Sequence, residues 1–219
     1  GAGHAATALS QMIGKKISIE RLAEIRVSLK NKNAENINLV TPTHQTHVIV
    51  HAIEIAKANG LDIPIVYNCG GYESVKTLKL LEGFVDIYMP DVKFWDSNNS
   101  EMYSGAKDYP EVVRKALKEM HRQVGDLVIN KRGIAEKGLL IRHLVLPGGL
   151  RGLSGSKNVL DFIKSEISIN SYVNIMDQYQ PCYRSYEFPQ TIGKRLLYSH
   201  YIEVKDYAEK IGLTRGLEK

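Results

Sequence analysis

The sequence alternates short apolar runs of β-forming residues with amphipathic helical segments, and this order constrains the fold more than any other feature. Near-continuous apolar strands that recur roughly every 25 residues between helices are typical of a parallel sheet covered by helices, which is an α/β fold. An open doubly wound sheet and a full or partial barrel both fit, because periodicity does not give the strand order. The predicted strands are INLVT (37–41), IPIVY (63–67), FVDIYMPDV (84–92), LVIN (127–130), a long strand within IAEKGLLIRHLVLPGG (134–149) and YVNIM (172–176).

Helical spacing and capping residues predict the segments between these strands. Ser18 is the expected N-cap of a first helix that ends near Asn31. Pro110 and the following acidic residue indicate the start of another helix, and Gly125 its end. The polar segment between Val92 and Tyr109, rich in Asn and Ser, is predicted as a loop. Further helices are expected over 47–60, 73–83, 157–167 and 203–211.

Composition limits the class of protein. The chain has 219 residues, which fits a single domain over 1–219, with a poorly patterned leader over 1–10 and a C-terminal extension containing a helix over 187–219. The net charge of +5 comes from 29 cationic residues interleaved with 24 acidic ones, a pattern of a solvated surface more than of nucleic-acid binding. No run approaches the roughly 20 apolar residues of a membrane span. Cys69 and Cys182 lack the spacing of a disulfide framework or zinc site, so we expect a cytoplasmic protein.

The series begins with a helix, whereas a right-handed βα unit supplies a strand first. We therefore expect a further strand upstream of Gly1. A missing first strand would leave an unpaired sheet edge, which invites pairing with another chain. A homodimer through this edge is the resulting hypothesis.

Polar residues stand at the ends of four predicted strands, where parallel sheets bind ligands. A buried polar group costs about 1–3 kcal/mol when it lacks a partner. A rim of such residues therefore predicts a binding site, and the alternative is that Asp91, Lys93 and Arg142 pair with one another. The candidates are Asn68, Asp91 with Lys93, Arg142 with His143, and Asn174.

Five segments in order carry a resemblance over about residues 11–186. They are NINLVTPTH, YNCGGYESVKTLKLLEG, VDIYMPDVKF, GLLIRHLVLPGGL and YVNIMDQYQPCYR. Together they resemble the radical S-adenosylmethionine enzymes related to the pyruvate formate-lyase activating enzyme. The resemblance implies a partial (β/α)6 TIM-like barrel of parallel strands with outer helices, here without its first strand. Its open side would admit a protein or peptide substrate, and a [4Fe-4S] cluster with S-adenosylmethionine would generate a radical that abstracts hydrogen.

The same resemblance implies a set of cofactor-binding residues. Asp91 and Lys93 match an Asp-x-Lys segment near the ribose and carboxylate of S-adenosylmethionine, and Arg142 matches an inward arginine. The physical chemistry agrees, since these side chains supply an acceptor and two cationic donors for a ligand with an ammonium, a carboxylate and ribose hydroxyls. The remaining matches are Thr41, Pro42 and Thr43 at the methionine amine, Asn68 near the adenosyl group, and Asn174 to Met176 near adenine.

The chain departs from this family in its cysteines. The cluster requires three thiolates at CxxxCxxC spacing on the loop after the first strand, and the sequence contains no such motif. Three explanations fit: a chain shortened at its N-terminus, a segment lost from the sequence, or a relative without a cluster. The chain as written is expected to be inactive in radical chemistry and not to reconstitute a cluster.

Three histidines, His44, His47 and His51, recur at intervals of three and four residues. On a helix they share one side, and His47 with His51 has the spacing of a paired metal ligand. A Zn²⁺ or Ni²⁺ site is one hypothesis, and solvated histidines near a helix N-terminus are the favoured alternative.

Other polar and aromatic features have simpler interpretations. His121 is expected at the surface and His143 in packing, on the face of its strand opposite to Arg142. The turn RGLSGSKN (151–158) lacks a nucleotide-binding glycine pattern and is interpreted as a flexible surface connection. Tyrosines near the last strand could line a ligand or pack in the core equally well: Tyr172, Tyr179, Tyr183 and Tyr186.

Two functions therefore follow from the sequence. The first is the body of a radical S-adenosylmethionine enzyme that installs a glycyl radical or abstracts hydrogen in a related reaction. The second is a cluster-free half-barrel that binds a small ligand, a metal or a protein partner through the same rim.

Overall fold

Five parallel strands and one short antiparallel strand form a single mixed sheet. The computed structural model describes residues 16–217. Within them the sheet order is β1-β2-β3-β5, with β6 and the antiparallel β4 both paired to β5. The strands are β1 Ile37–Val40, β2 Ile65–Cys69, β3 Ile87–Val92, β4 Val128–Ile129, β5 Ala135–Leu144 and β6 Tyr172–Met176.

The predicted α/β class is confirmed, and each predicted strand is present: the strand over 172–176 has the predicted bounds, and the others have shifted ends. The helices that connect the strands are α1 Ile19–Asn31, α2 Thr46–Ala58, α3 Val75–Leu80, α4 Ser97–Ser104, α5 Tyr109–Val124, α6 Ser156–Phe162 and α7 Tyr198–Lys210. Shorter helical turns are Thr43–Gln45, Gly149–Arg151 and Tyr183–Glu187, and a π-helical turn, Ile163–Ile167, continues α6.

Side-chain caps fix several helix ends as the sequence predicts. The Ser18 hydroxyl accepts a hydrogen bond from the Arg21 amide at 3.1 Å and so begins α1. In α5, Pro110 lies in the first turn and Gly125 ends the helix with a φ of 71°. The apolar stripe Val113, Leu117 and Met120 then packs into the core.

The prediction of a loop between Val92 and Tyr109 was wrong for residues 97–104, because these residues form α4. The Asp96 carboxylate accepts hydrogen bonds from the amides of Asn98 and Asn99, at 2.9 and 3.0 Å. Gly105 ends the helix in the left-handed conformation. Strong caps at both ends outweigh the poor helix propensity of the Asn and Ser residues between them.

The last helix also begins earlier than expected, at Tyr198 instead of Glu203.

The two faces of the sheet differ in their surroundings. We call the face that packs against the helices the covered face; it contributes Tyr67, Tyr88, Ile141 and Val173, each fully buried in the main core. Alternate residues of the same strands point to the other face, which we call the open face. Its side chains are half-buried or exposed toward the C-terminal ends of the strands. At the opposite end, the open face carries a small buried cluster of Val66, Ile87 and Leu127.

The N-terminal unit has a core of its own. Ala23 of α1, Ile53 of α2 and Ile37 of β1 are buried in one apolar cluster. In the described part of the chain β1 pairs only with β2, so β1 lies at the edge of the sheet. The first strand expected upstream of Gly1, and the leader over 1–10, lie outside the described residues. Dimerisation through this edge stays a prediction.

No helix in residues 16–217 is long and apolar enough to cross a membrane.

Candidate functional site

The strand-end residues predicted from the sequence lie side by side on the open face. Asp91 of β3 is aligned with Arg142 of β5, and Arg142 is aligned with Asn174 of β6. Asn68 of β2 also reaches Arg142, because its Oδ1 accepts a hydrogen bond from Arg142 Nη2 at 2.7 Å. We call Asn68, Asp91, Lys93, Arg142 and Asn174 the polar row.

Ion pairs hold the centre of the polar row. Arg142 Nη2 lies 2.6 Å from Asp91 Oδ1, and Lys93 Nζ lies 3.3 Å from Asp91 Oδ2. The alternative in which these three residues pair with one another is therefore present in the structure. One carboxylate between two cations leaves an excess of positive charge on the open face.

The pairing is incomplete. Four buried side-chain polar atoms in the described residues lack a hydrogen bond, and two of them, Asp91 Oδ1 and Arg142 Nε, belong to the polar row. Asp91 Oδ1 lies in the ion pair with Arg142 Nη2, whereas Arg142 Nε has no partner within the described residues. Because buried polar groups in native proteins are nearly always satisfied, Arg142 Nε retains a hydrogen bond that it can donate on the open face.

The loop after β1 approaches the polar row with a strained backbone. Thr41 has a φ of 52°, an uncommon conformation for a β-branched residue that costs about 1–3 kcal/mol. Its amide donates a hydrogen bond to the Asn68 carbonyl at 2.8 Å, which holds the loop beside β2. Pro42 is buried, and the exposed Thr43 directs its hydroxyl to Glu73.

A buried carboxylate at the end of β2 was missed from the sequence. Glu73 is 2% exposed; its Oε1 accepts from Thr43 Oγ1 at 2.6 Å and its Oε2 from the Tyr67 hydroxyl at 3.3 Å. Burial raises the pKa of Glu73 above its usual value. The signal was present, since this acidic residue follows the glycine pair Gly70-Gly71 at the end of an apolar strand.

A tyrosine from the covered face holds the backbone beneath the polar row. The Tyr109 hydroxyl lies 3.1 Å from the Gly70 carbonyl and 3.0 Å from the Asp91 carbonyl, and it accepts a hydrogen bond from the Lys93 amide at 3.1 Å. Burial raises the pKa of Tyr109, so the phenol stays protonated and able to donate.

Gly71 lets the loop after β2 approach the backbone of β3 closely. Its φ is 80°, and a Cβ at this position would lie 2.3 Å from the Asp91 carbonyl oxygen and 2.8 Å from Val113 Cγ2. Only glycine fits this contact, which links the end of β2 to both β3 and α5.

The predicted residues of β6 line the far end of the open face. Asn174 is exposed next to Arg142, and Met176 is half-buried and aligned with Leu144. The Met176 sulfur lies 3.6 Å from the Gln178 amide nitrogen. Asn174 is in register with Arg142 of the ion pair, whereas Met176 lies two residues further along the strand.

The histidines have separate environments. His44, His47 and His51 are exposed on the helical turn 43–45 and on α2. Within the described residues no three His, Cys, Asp or Glu side chains are placed so that they could hold a metal ion, so the structure does not bring these imidazoles together as a ligand set.

His143 and His121 differ in burial. His143 lies in the covered face as expected, where burial lowers its pKa to about 4. His121 reaches the surface as expected, but its side chain is half-buried and lies 2.9 Å from Asp126 Oδ1.

The cysteines do not form the ligand set that a [4Fe-4S] cluster requires. Cys69 is buried in the covered face and Cys182 is exposed after β6. Desolvation raises the pKa of the Cys69 thiol, which disfavours the thiolate that binds iron. These residues therefore do not fit a three-cysteine cluster.

Comparison with known proteins gives one uncharacterized relative. No model of a known protein family matches the chain. The chain is 31% identical over 186 residues to an uncharacterized protein of the archaeon Methanocaldococcus jannaschii. The match includes 84% of this chain but 49% of the relative, so the chain spans about half the length of the protein it resembles. This relative carries no functional assignment for the polar row.

Proposed function

We propose that the open face binds S-adenosylmethionine and that the chain is the body of a radical S-adenosylmethionine enzyme of the pyruvate formate-lyase activating type. The observation that carries the proposal is the polar row, in which Arg142 Nε is buried without a hydrogen bond beside the Asp91 carboxylate, at the ends of parallel strands where ligands bind. A partial (β/α)6 barrel, with the open face as its interior, is the architecture that we propose for the whole protein.

The polar row offers complementary groups to an amino-acid ligand that carries a sulfonium and a nucleoside. Arg142 and Lys93 can bind a carboxylate, and Asp91 can accept hydrogen bonds from ribose hydroxyls or an ammonium. The Asn68 amide both donates and accepts, as a ligand with mixed polarity requires. Thr41 and Thr43 extend these contacts at the β1 end of the sheet, and Asn174 and Met176 extend them at the β6 end.

The chain's own residues orient the ligand and support its charge. Tyr109 fixes the carbonyls of Gly70 and Asp91, so the Asp91 carboxylate cannot move freely away from Arg142. A [4Fe-4S] cluster would supply the electron that cleaves bound S-adenosylmethionine. That chemistry is proposed for the whole protein only, because Cys69 and Cys182 do not fit a cluster site. The free cysteines agree with the reducing cytoplasm in which we propose that it acts.

Calorimetric titration of the chain with S-adenosylmethionine tests the proposal. Lys93→Gln removes one cation of the polar row, and Lys137→Gln makes the same change at the exposed N-terminal end of β5. We expect Lys93→Gln and Arg142→Lys to weaken binding about tenfold, as the loss of a charge-assisted hydrogen bond predicts. The Lys137→Gln control should bind like wild type.

Two results would overturn the proposal. One is the absence of binding up to millimolar S-adenosylmethionine in a protein that thermal unfolding shows to be folded. The other is an affinity that Lys93→Gln and Arg142→Lys leave unchanged.

The second candidate, a cluster-free half-barrel, is favoured by the burial of Cys69 and by the distance in sequence to Cys182. Anaerobic reconstitution of the whole protein with iron and sulfide separates the two functions, because this chain is expected to stay colourless under both. A whole protein that stays colourless but binds S-adenosylmethionine supports the cluster-free half-barrel. In this chain alone, stoichiometric iron and labile sulfide, with absorbance near 400 nm, would contradict our expectation that these residues hold no cluster.

A further inference from the structure

A cavity lies beyond the C-terminal end of β5. Its volume is about 770 Å³, within the range of small-molecule sites. One wall is the loop from Pro147 to Leu153, and the other is formed by residues 190–200 of the C-terminal extension. Because the loop follows the C-terminal end of a parallel strand, the cavity lies at the edge of the sheet where α/β proteins bind ligands.

The charged groups of this cavity are all basic. Arg151, Lys194 and Arg195 line it, and no Asp or Glu of the described residues does. These three cations also form no ion pair elsewhere in residues 16–217. The neighbouring carboxylate, Glu203 of α7, already accepts a hydrogen bond from the Leu150 amide at 3.1 Å. The cavity is therefore electrostatically suited to an anion.

Part of the loop wall is closely packed backbone at two glycines. A Cβ on Gly152 would lie 2.5 Å from the Gly148 carbonyl carbon, so the two glycines pack directly against each other. The Gly148 amide donates to His200 Nδ1 at 3.3 Å, which places the ring proton of a neutral His200 on Nε2 as a second donor.

The interpretation of 151–158 as a flexible connection was wrong, because Ser154 and Ser156 are fully buried and hydrogen-bonded to each other.

We propose that this cavity binds a small organic anion, a carboxylate or phosphate attached to an apolar body. The basic side chains would bind the anionic group, while Pro147, Leu153 and Leu197 would pack against the apolar part. The volume fits a small molecule better than an extended acidic peptide. This site is separate from the polar row and does not rest on the binding of S-adenosylmethionine.

The probe for the test is the fluorescent anion 8-anilinonaphthalene-1-sulfonate, with the uncharged N-phenyl-1-naphthylamine as its matched analogue. We expect saturable binding of the anion, weaker binding of the neutral analogue and a loss of affinity with added salt. Lys194→Gln and Arg151→Gln should each weaken anion binding about three- to tenfold. Lys131→Gln, the same change at an exposed lysine in the β4–β5 turn, should leave it unchanged.

Competition identifies the natural anionic group. Displacement of the probe by phenyl phosphate or by phenylpropionate supports the proposal and distinguishes a phosphate from a carboxylate. Equal affinity for the neutral analogue, or wild-type affinity in both folded variants, would overturn it. So would displacement by an acidic peptide alone, since the occupant would then be a protein segment. Arg195→Gln replaces either variant that fails to fold.

Discussion

Adjacent residues of β5 face opposite sides of the sheet and have opposite environments. His143, on the covered face, is fully buried: its Nδ1 lies 2.9 Å from the Val92 carbonyl and its Nε2 lies 2.8 Å from the Ser156 hydroxyl. Arg142, on the open face, retains a buried Nε without a partner. Both ring nitrogens of His143 are hydrogen-bonded within the protein, whereas Arg142 has hydrogen-bonding capacity left for a ligand. The difference separates residues that stabilise the fold from residues that are available for function.

The largest expected difference between the faces is in packing. Leu139→Ala on the covered face should lower the free energy of unfolding by about 2–5 kcal/mol, because it leaves a cavity in the main core. Leu140→Ala, the same change on the half-buried open face, should cost no more than about 1.5 kcal/mol. Urea unfolding of the two variants measures both values. Equal losses would contradict the assignment of the faces.

Alanine substitutions at Gly71 and Gly83 measure how much the close backbone approach at Gly71 contributes to stability. Gly71→Ala should cost at least about 2 kcal/mol, because a Cβ meets the Asp91 carbonyl and Val113 in addition to the strain of a positive φ. Gly83→Ala has nearly the same φ, 82°, but nothing within 4 Å of its Cβ, so the strain alone, about 1 kcal/mol, should remain. Thermal unfolding compares them. If the two losses are the same, the close approach at Gly71 does not constrain the site.

The pH dependence of stability tests the covered face. The pKa of His143 falls from an ordinary value near 6.5 to about 4 in the folded protein because of desolvation. The unfolded chain therefore binds the proton first as the pH falls, and the stabilisation present above pH 6.5 is lost progressively toward pH 4. Between pH 7.5 and pH 5 the loss at this one residue should be about 2 kcal/mol.

The control for this prediction is His143→Gln, which keeps a donor and an acceptor but does not titrate. Guanidinium unfolding of wild type and variant at both pH values isolates the histidine, because other titrating groups are common to both proteins. A difference between the two proteins that does not change with pH would contradict a neutral, buried His143.

Local signals predicted much of the fold and part of the site. Apolar runs located the strands, and alternation along β5 correctly placed Arg142 and His143 on opposite faces. The helix α4 was missed because its composition is unfavourable, and its stability comes from Asp96 and Gly105 at the ends. Spacing along the chain contains no information on strand order, so the position of β5 between β3 and β6 required the structure.

The part of the site that the sequence could not predict depends on contacts between distant segments. Glu73 is buried because Thr43 and Tyr67 donate hydrogen bonds to its carboxylate. In the basic cavity, Arg151 of the loop after β5 and Lys194 of the C-terminal extension line the same space. None of these pairings is encoded by periodicity. The three-histidine pattern shows the reverse case, in which helical spacing suggested a ligand set that the fold leaves as exposed side chains.

The most direct test of the open face as the binding face is nuclear magnetic resonance of the arginine side chains. The ¹⁵Nε–Hε signal of Arg142, assigned with Arg142→Lys, should shift when S-adenosylmethionine is added, because Nε is the buried donor without a partner. The ring signals of the neighbouring His143 should stay unchanged, since both its nitrogens are already bonded within the covered face. A saturated complex in which the Arg142 signal does not move, or in which the His143 ring responds instead, would contradict the account.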